Sequence, residues 1–140
     1  MNRIITFGTF DLFHVGHLRL LERAKLIGDF LIVGVSSDEL NFSKKHINAI
    51  IPHEDRKLII NSLRCVDKVF TEESLEKKKH YIMEHKADVL VMGDDWRGKL
   101  DWCKDVCKVV YLERTPAISS TDIKAEVTRR SSPRKLVEDS

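Results

Sequence analysis

The sequence predicts an α/β fold: a Rossmann-like, open, mostly parallel five-stranded sheet with helices on both faces. Three observations lead there. Short apolar or β-branched runs alternate with segments of helical periodicity along the chain. Residues 30–35 (Phe-Leu-Ile-Val-Gly-Val) and 88–92 (Asp-Val-Leu-Val-Met) are almost wholly apolar, as strands covered on both faces are. The resulting order, β-α-β-α-β-α-β-α-β-α, then requires right-handed crossovers and parallel strands.

Each element has its own signal. Residues 3–7 form a strand that stops at Gly8. Val15, Leu18, Leu21, Ala24 and Leu26 recur at helical intervals, and Gly28 ends that helix. Residues 30–35 are the second strand, and the polar stretch 36–48 is read as a loop. Pro52 opens a helix whose first turn holds Glu54 and Asp55 and which runs to about Leu63. Residues 67–70 are a short strand, 73–85 a charged, exposed helix, and 88–92 a buried strand broken by Gly93. A short helix over 100–104 and a last strand over 109–112 follow. Ser119 or Ser120 caps a final helix that sets Ile123 and Val127 on one face. Residues 1–130 are expected to form one domain, and 131–140 a flexible basic tail.

Composition narrows the function classes. At 140 residues the chain is the size of one ordinary domain, and its 42% hydrophobic content supplies a core. The net charge of +2 is carried by residues 129–140, where Arg129, Arg130, Arg134 and Lys135 face Glu138 and Asp139. The remainder balances, which argues against a nucleic-acid-binding surface. No run approaches the roughly 18 apolar residues of a membrane helix, and Met1 to Phe7 lead into glycine and acid rather than a leader-like apolar region. A cytoplasmic protein without membrane attachment is expected. Cys65, Cys103 and Cys107 are odd in number and make no disulfide framework. Cys103 and Cys107, four apart, are either a thiolate pair or small buried side chains, the latter favoured.

Three polar segments directly follow strands and so fall on the edge where open α/β sheets bind ligands. They begin at Gly8, Gly93 and Arg114. In the first, Gly8-Thr9-Phe10-Asp11-Leu12-Phe13-His14-Val15-Gly16-His17, Gly8 permits a close turn. Gly16 leaves room for a phosphate at the helix start. His14 and His17, three apart, can turn both rings to one bound group and stabilise a phosphate gaining charge. The bland alternatives are a metal pair or a satisfied polar histidine. Asp94 and Asp95 serve a base or ribose or hydrate a turn, with Asp95 preferred. Trp96 and Trp102 wall a pocket or pack elsewhere, and core packing is favoured for Trp102. Lys44 and Lys45 read alone are loop charges, and Arg56 is either a phosphate ligand or an ion-pair partner.

These residues resemble a known family. Gly8 to His17 look like the HxGH signature of the cytidylyltransferase-like nucleotidyltransferases, and Arg114-Thr-Pro-Ala-Ile-Ser-Ser-Thr is similar to their C-terminal RTxGIST segment. The resemblance spans about residues 4–127. Met92-Gly-Asp-Asp-Trp-Arg-Gly-Lys and Arg64-Cys-Val-Asp67 most resemble the branch that uses glycerol 3-phosphate. The resemblance implies transfer of CMP from CTP to sn-glycerol 3-phosphate, giving CDP-glycerol, a precursor of teichoic-acid-type polymers, and pyrophosphate. It implies Mg²⁺ bound with CTP and a homodimer paired near the HxGH face. His14, His17, Lys44 and Arg114 would act on the phosphates. Gly8, Thr9, Phe10, Gly16, Asp95, Thr115, Ser119 and Ser120 would hold nucleotide. Lys44, Arg56 and Arg64 would meet substrate phosphate, and Asp11 would hold Mg²⁺ through water.

The pattern departs in two places. Pro116-Ala117 replaces the family's Glu-Gly, stiffening that loop, and the stretch around His46 and residues 48–51 differs and is about one residue longer. Leu31 to Glu39 also resemble the phospholipid-type cytidylyltransferases, so phosphoethanolamine and phosphocholine remain alternative acceptors. ATP remains an alternative nucleotide, and a nucleotide-binding regulator without turnover is the reading from a different class.

Overall fold

Period-two alternation along the strands sends side chains into two cores, one on each face of the sheet. Ile4, Leu31, Val33, Val35, Val89 and Val91 share one core with Leu21, Ala24 and Ile60. Ile5, Phe7, Ile32, Leu90 and Met92 share the other with Tyr81, Ile82, Leu100 and Cys103. The structure, a computed structural model, describes residues 1–113 and 120–131.

The strands are β1 (Arg3–Gly8), β2 (Phe30–Ser36), β3 (Lys68–Glu72), β4 (Val89–Gly93) and β5 (Lys108–Leu112), all parallel in the order β3-β2-β1-β4-β5. The helices are α1 (Val15–Ile27), α2 (Asp38–Lys45), α3 (His53–Asn61), α4 (Lys78–Glu84) and α5 (Ser120–Arg130). Helices α1 and α3 cover the first core, and α4 with the turn Asp101–Cys103 covers the second. Strand order reverses between β1 and β4, and a crevice opens at the carboxyl ends there.

Several expectations are corrected. Residues 36–48 are not a loop: Ser37 caps α2, its Oγ accepting from the Leu40 N–H at 3.1 Å. Asp38 and Glu39 then suit the first turn, and His46 ends the helix in the left-handed region with φ 59°. The segment 73–85 is not one exposed helix: it is a tight turn, Leu75–Lys77, followed by α4, which buries Lys78, Tyr81 and Ile82. Trp102 is 44% exposed because its turn buries Cys103 instead. Val127 is also exposed, while Lys124 of α5 pairs with Asp11. The tail from residue 132 lies outside the described residues. No helix of the described residues is long and apolar enough to cross a membrane.

One buried polar group ties the loops of the carboxyl edge together. The Arg56 side chain is fully buried, and Nε donates to the Ile51 carbonyl at 2.9 Å. One Nη donates to the carbonyls of Thr9 and Ser36 at 2.9 and 2.8 Å, and the other pairs with Asp38 at 2.7 Å. The ends of β1 and β2, the start of α2 and the loop before α3 are thus joined by one guanidinium. Asp67 does similar work at the opposite edge, accepting from the Leu31 N–H at 2.8 Å and pairing with Lys25. Arg56→Met leaves three carbonyls without this donor and should lower unfolding free energy by about 3 kcal/mol in a urea titration. Arg56→Lys should recover little, because a point ammonium lacks the planar fork. An unchanged midpoint in both variants contradicts this role.

Candidate active site

Helix α1 starts with histidines where helices ordinarily carry serine and glutamate. His14 is the N-cap, and its Nδ1 accepts from the Gly16 N–H at 3.0 Å. His17 reaches back, its Nδ1 accepting from the His14 N–H at 3.2 Å. This is a reciprocal capping box built from two imidazoles. The rings stack with centroids 3.9 Å apart and planes at 28°. Phe10 and Phe13 each lie 5.5 Å from His17, one edge-on and one stacked, and fix its orientation.

A nitrogen that accepts a backbone N–H carries a lone pair, so in a neutral ring the proton sits on Nε2. The capping bonds thus engage Nδ1 of each ring and not Nε2. His14 Nε2 is buried and has no hydrogen-bond partner among the described residues. Charging either ring is disfavoured: burial lowers the His14 pKa from its usual 6.5. Burial first, and then the neighbouring His14, lowers His17 to about 4. The pair is a neutral double donor at the helix N-terminus, where an anion is attracted by the N–H groups and the dipole.

The loop from β1 to α1 is strained to make this arrangement. Phe10 and Leu12 hold φ at 55° and 49°, a region side chains rarely adopt. The Phe10 ring folds back over Gly8, where a Cβ would meet the ring at 2.7 Å. Gly8 therefore serves the aromatic support of His17 as well as the turn.

These groups open into a cavity of about 690 Å³ along the carboxyl edge. Gly8, Thr9, Phe10, Asp11, His14, Gly16, His17, Lys44 and Asp95 all line it. One wall is Asn41 on α2, whose Oδ1 accepts from Thr9 and Ser36 hydroxyls at 3.1 and 2.8 Å. Its Nδ2, buried, has no partner among the described residues. Opposite stand Met92, Trp96, Leu112 and Glu113 at the ends of β4 and β5. No side chain fills the space at Gly93, where a Cβ would have nothing within 4 Å.

Comparison with known proteins agrees with this geometry. Residues 5–126 match the family model described as cytidylyltransferase-like. The chain belongs to the cytidylyltransferase-like family. It is 54% identical over 127 residues to a glycerol-3-phosphate cytidylyltransferase of Bacillus subtilis, covering 91% of this chain and 98% of that protein. It is 46% identical to the protein of the same name from Staphylococcus aureus, over 91% of this chain and 96% of the other. Among solved structures, a lipopolysaccharide core biosynthesis protein from Thermoplasma volcanium shares the fold, with a TM-score of 0.69 and 24% identity over 82% of this chain and 98% of that one.

Within this cytidylyltransferase-like site, three expected ligands stand differently. Arg56 does not line the cavity, because its guanidinium is engaged by carbonyls and Asp38. Arg64 is exposed and precedes β3, at the amino edge of the sheet, whereas the cavity is at the carboxyl edge. Asp11 is buried and its carboxylate accepts from the Ile50 and Ile51 N–H groups at 2.8 and 2.9 Å and from Lys124 at 2.7 Å. Burial opposes that charge, but Lys124 and the two amides hold the carboxyl below the usual aspartate range. Such a carboxylate clamps loops and does not fit a magnesium ligand, even through water. No group of three acidic, histidine or cysteine side chains suited to a metal occurs among the described residues. Arg114, Thr115 and Ser119 lie outside the described residues, as does the Ser120 side chain.

The sequence also hid wall residues. Asn41 and Lys44 are three apart on α2 and share a helix face, a signal invisible while that segment passed for a loop. Glu72 and Lys78 line the cavity although charge alone marked them for solvent. The cysteines follow their bland reading: Cys103 is fully buried, and burial raises its thiol to about 11.

The histidines make stability depend on pH. Unfolded histidines take up protons below about 6.5, while folded His17 does so only near 4. The unfolded chain therefore binds more protons across that window, and stability should fall as pH drops from about 6.5 to about 4. Urea unfolding at steps of pH checks this. His17→Phe should flatten the acid limb, and a limb unchanged in that variant contradicts the assignment.

Proposed function

We infer that this chain transfers CMP from CTP to glycerol 3-phosphate, giving CDP-glycerol and pyrophosphate. The observation that carries the inference is the two-imidazole capping box at the start of α1, whose histidines line one cavity with Lys44. The substrates follow from the names of relatives about half identical over nearly the whole chain.

A phosphate oxygen of the acceptor attacks the α-phosphorus of CTP in line. The new P–O bond forms as the bond to the β-phosphate breaks, and its electrons leave with pyrophosphate. Neither histidine gains or loses a proton. Both donate hydrogen bonds that strengthen as charge grows on the α-phosphate oxygens. Lys44 on α2 adds a point charge from the facing wall, and the rest of the rate gain is positioning. Mg²⁺ would accompany CTP and would supply charge neutralisation on the triphosphate. Arg114, Thr115, Ser119 and Ser120 would complete the phosphate cradle. Two copies would pair near this face, where Phe42, Ile47 and Ile50 are each more than half exposed. The product would serve a cytoplasmic supply of activated glycerol phosphate for teichoic-acid-type polymers.

Pyrophosphate release is the test, crossing CTP and ATP with glycerol 3-phosphate, phosphoethanolamine and phosphocholine. Turnover should be selective for CTP with glycerol 3-phosphate. His14→Ala or His17→Ala should lower kcat on the order of 100-fold or more. Preference for another pair overturns the substrates, and binding of CTP with no turnover on any acceptor overturns the reaction.

A further inference from the structure

Residues 114–119, which include Arg114, join β5 to α5. The described residues on both sides of that segment are tied to α1 or to the loop before it. On the near side, Arg23 of α1 donates from one Nη to the Glu113 carbonyl at 2.7 Å. On the far side, Lys124, one turn into α5 from Ser120, pairs with Asp11 at 2.7 Å. Asp11 precedes His14 by three residues, and Arg23 follows His17 by six. In sequence the two histidines therefore lie between the two anchors. Asp11, Arg23, Glu113 and Lys124 all line the cavity.

Stability does not account for these contacts. The Arg23 bond is exposed, so water competes for both of its partners. Lys124 keeps 32% of its side chain exposed. Among the described residues, neither apolar core includes a side chain of α5. The core therefore does not set where that helix starts, and a charged contact has to. Asp11 is suited to it: the carboxylate is buried and already fixed by the Ile50 and Ile51 amides. A buried acceptor so held gives Lys124 a point that does not wander, in surroundings where screening is weak.

The chemistry needs such registration. His14 and His17 ride on α1, whereas Arg114 belongs to a different part of the chain. Groups that stabilise charge lose much of their effect when displaced by about 1 Å. Donors from separate elements act on one triphosphate only if the elements are held against each other.

We propose that Arg23 and the Asp11–Lys124 pair are positioning residues that hold the two flanks of segment 114–119 to α1, so that Arg114 addresses the same triphosphate as His14 and His17. This rests on the reaction inferred above and adds how the two halves of its phosphate site are kept in register. Arg23 acts through Arg114, and Lys124 acts through Asp11.

Double-mutant cycles on the full chain test this, with pyrophosphate release giving kcat and KM and urea unfolding giving stability. Arg23→Met and Lys124→Met should each lower kcat about tenfold or more, with KM for glycerol 3-phosphate changed less than about twofold. Lys124→Arg, which keeps the ion pair, should retain kcat to within about threefold. In an Arg114→Ala background, Arg23→Met should cost less than about a further twofold, because the group it positions is gone. In an Asp11→Asn background, Lys124→Met should likewise cost less than about a further twofold. A full-sized loss in either background overturns the proposal, since it means direct contact with the nucleotide or damage spread over the fold. Unchanged kcat in both single variants overturns it too. If Lys124→Met does not fold, the Arg23 cycle decides, because that bond is exposed and its loss leaves the fold intact. Wild-type protein inert with CTP and glycerol 3-phosphate would instead sink the reaction itself, and the proposal with it.

Discussion

Two backbone N–H groups decide which nitrogen of each site histidine carries the proton, and the chemistry depends on that choice. The amides of His14 and Gly16 would be orphans at the first turn of α1. By donating to Nδ1 of His17 and of His14 they take up the acceptor nitrogens. The same bonds that start the helix leave Nε2–H as the only ring donor. Stacking at 3.9 Å and burial then oppose a positive charge on either ring. A neutral donor has an advantage over a cation here. In the proposed reaction it would bind a ground-state phosphate weakly and strengthen as charge develops, the kind of differential binding that raises rate.

The surrounding charges serve a different purpose from the one their type suggests. Asp11 and Arg56 are the kind of residues expected on magnesium and phosphate, yet both bind main chain. Asp11 fixes the amides of residues 50 and 51, Arg56 takes the carbonyl of residue 51, and Lys124 brings α5 onto Asp11. The loop bearing Ile47, Asn48 and Ala49 is thereby held as one side of the cavity. Long polar loops at a sheet edge need partners for their backbone groups, and buried charged side chains supply them without adding another strand. The strained φ of Phe10 and Leu12 is sustained by this same web.

Much of this was legible in the residues. The five strands lay at short apolar or β-branched runs, clearest in β2 and β4, whose near-continuous apolar composition marks strands covered on both faces. The edge segments after β1 and β4 followed from order alone. Helix α2 was not legible by periodicity, since it is short and has only Leu40 and Phe42 to show, though Ser37 with two acids was a start signal. Lys78 was hidden for a related reason: in a lysine-rich run nothing local marks which ammonium turns inward, and only the position of Glu72 across the turn settles it. Arg64 misled because a motif reports residue type, whereas the edge of the sheet it occupies follows from the strand after it.

The most direct test is to observe the protons on the two rings. Long-range ¹H–¹⁵N correlation spectra of imidazole-labelled protein at neutral pH distinguish the two neutral tautomers from the charged ring. His14 and His17 should both appear as neutral rings protonated at Nε2, with no change in His17 until the pH approaches about 4. Protonation at Nδ1 of either histidine, or a positively charged ring at neutral pH, would contradict the account.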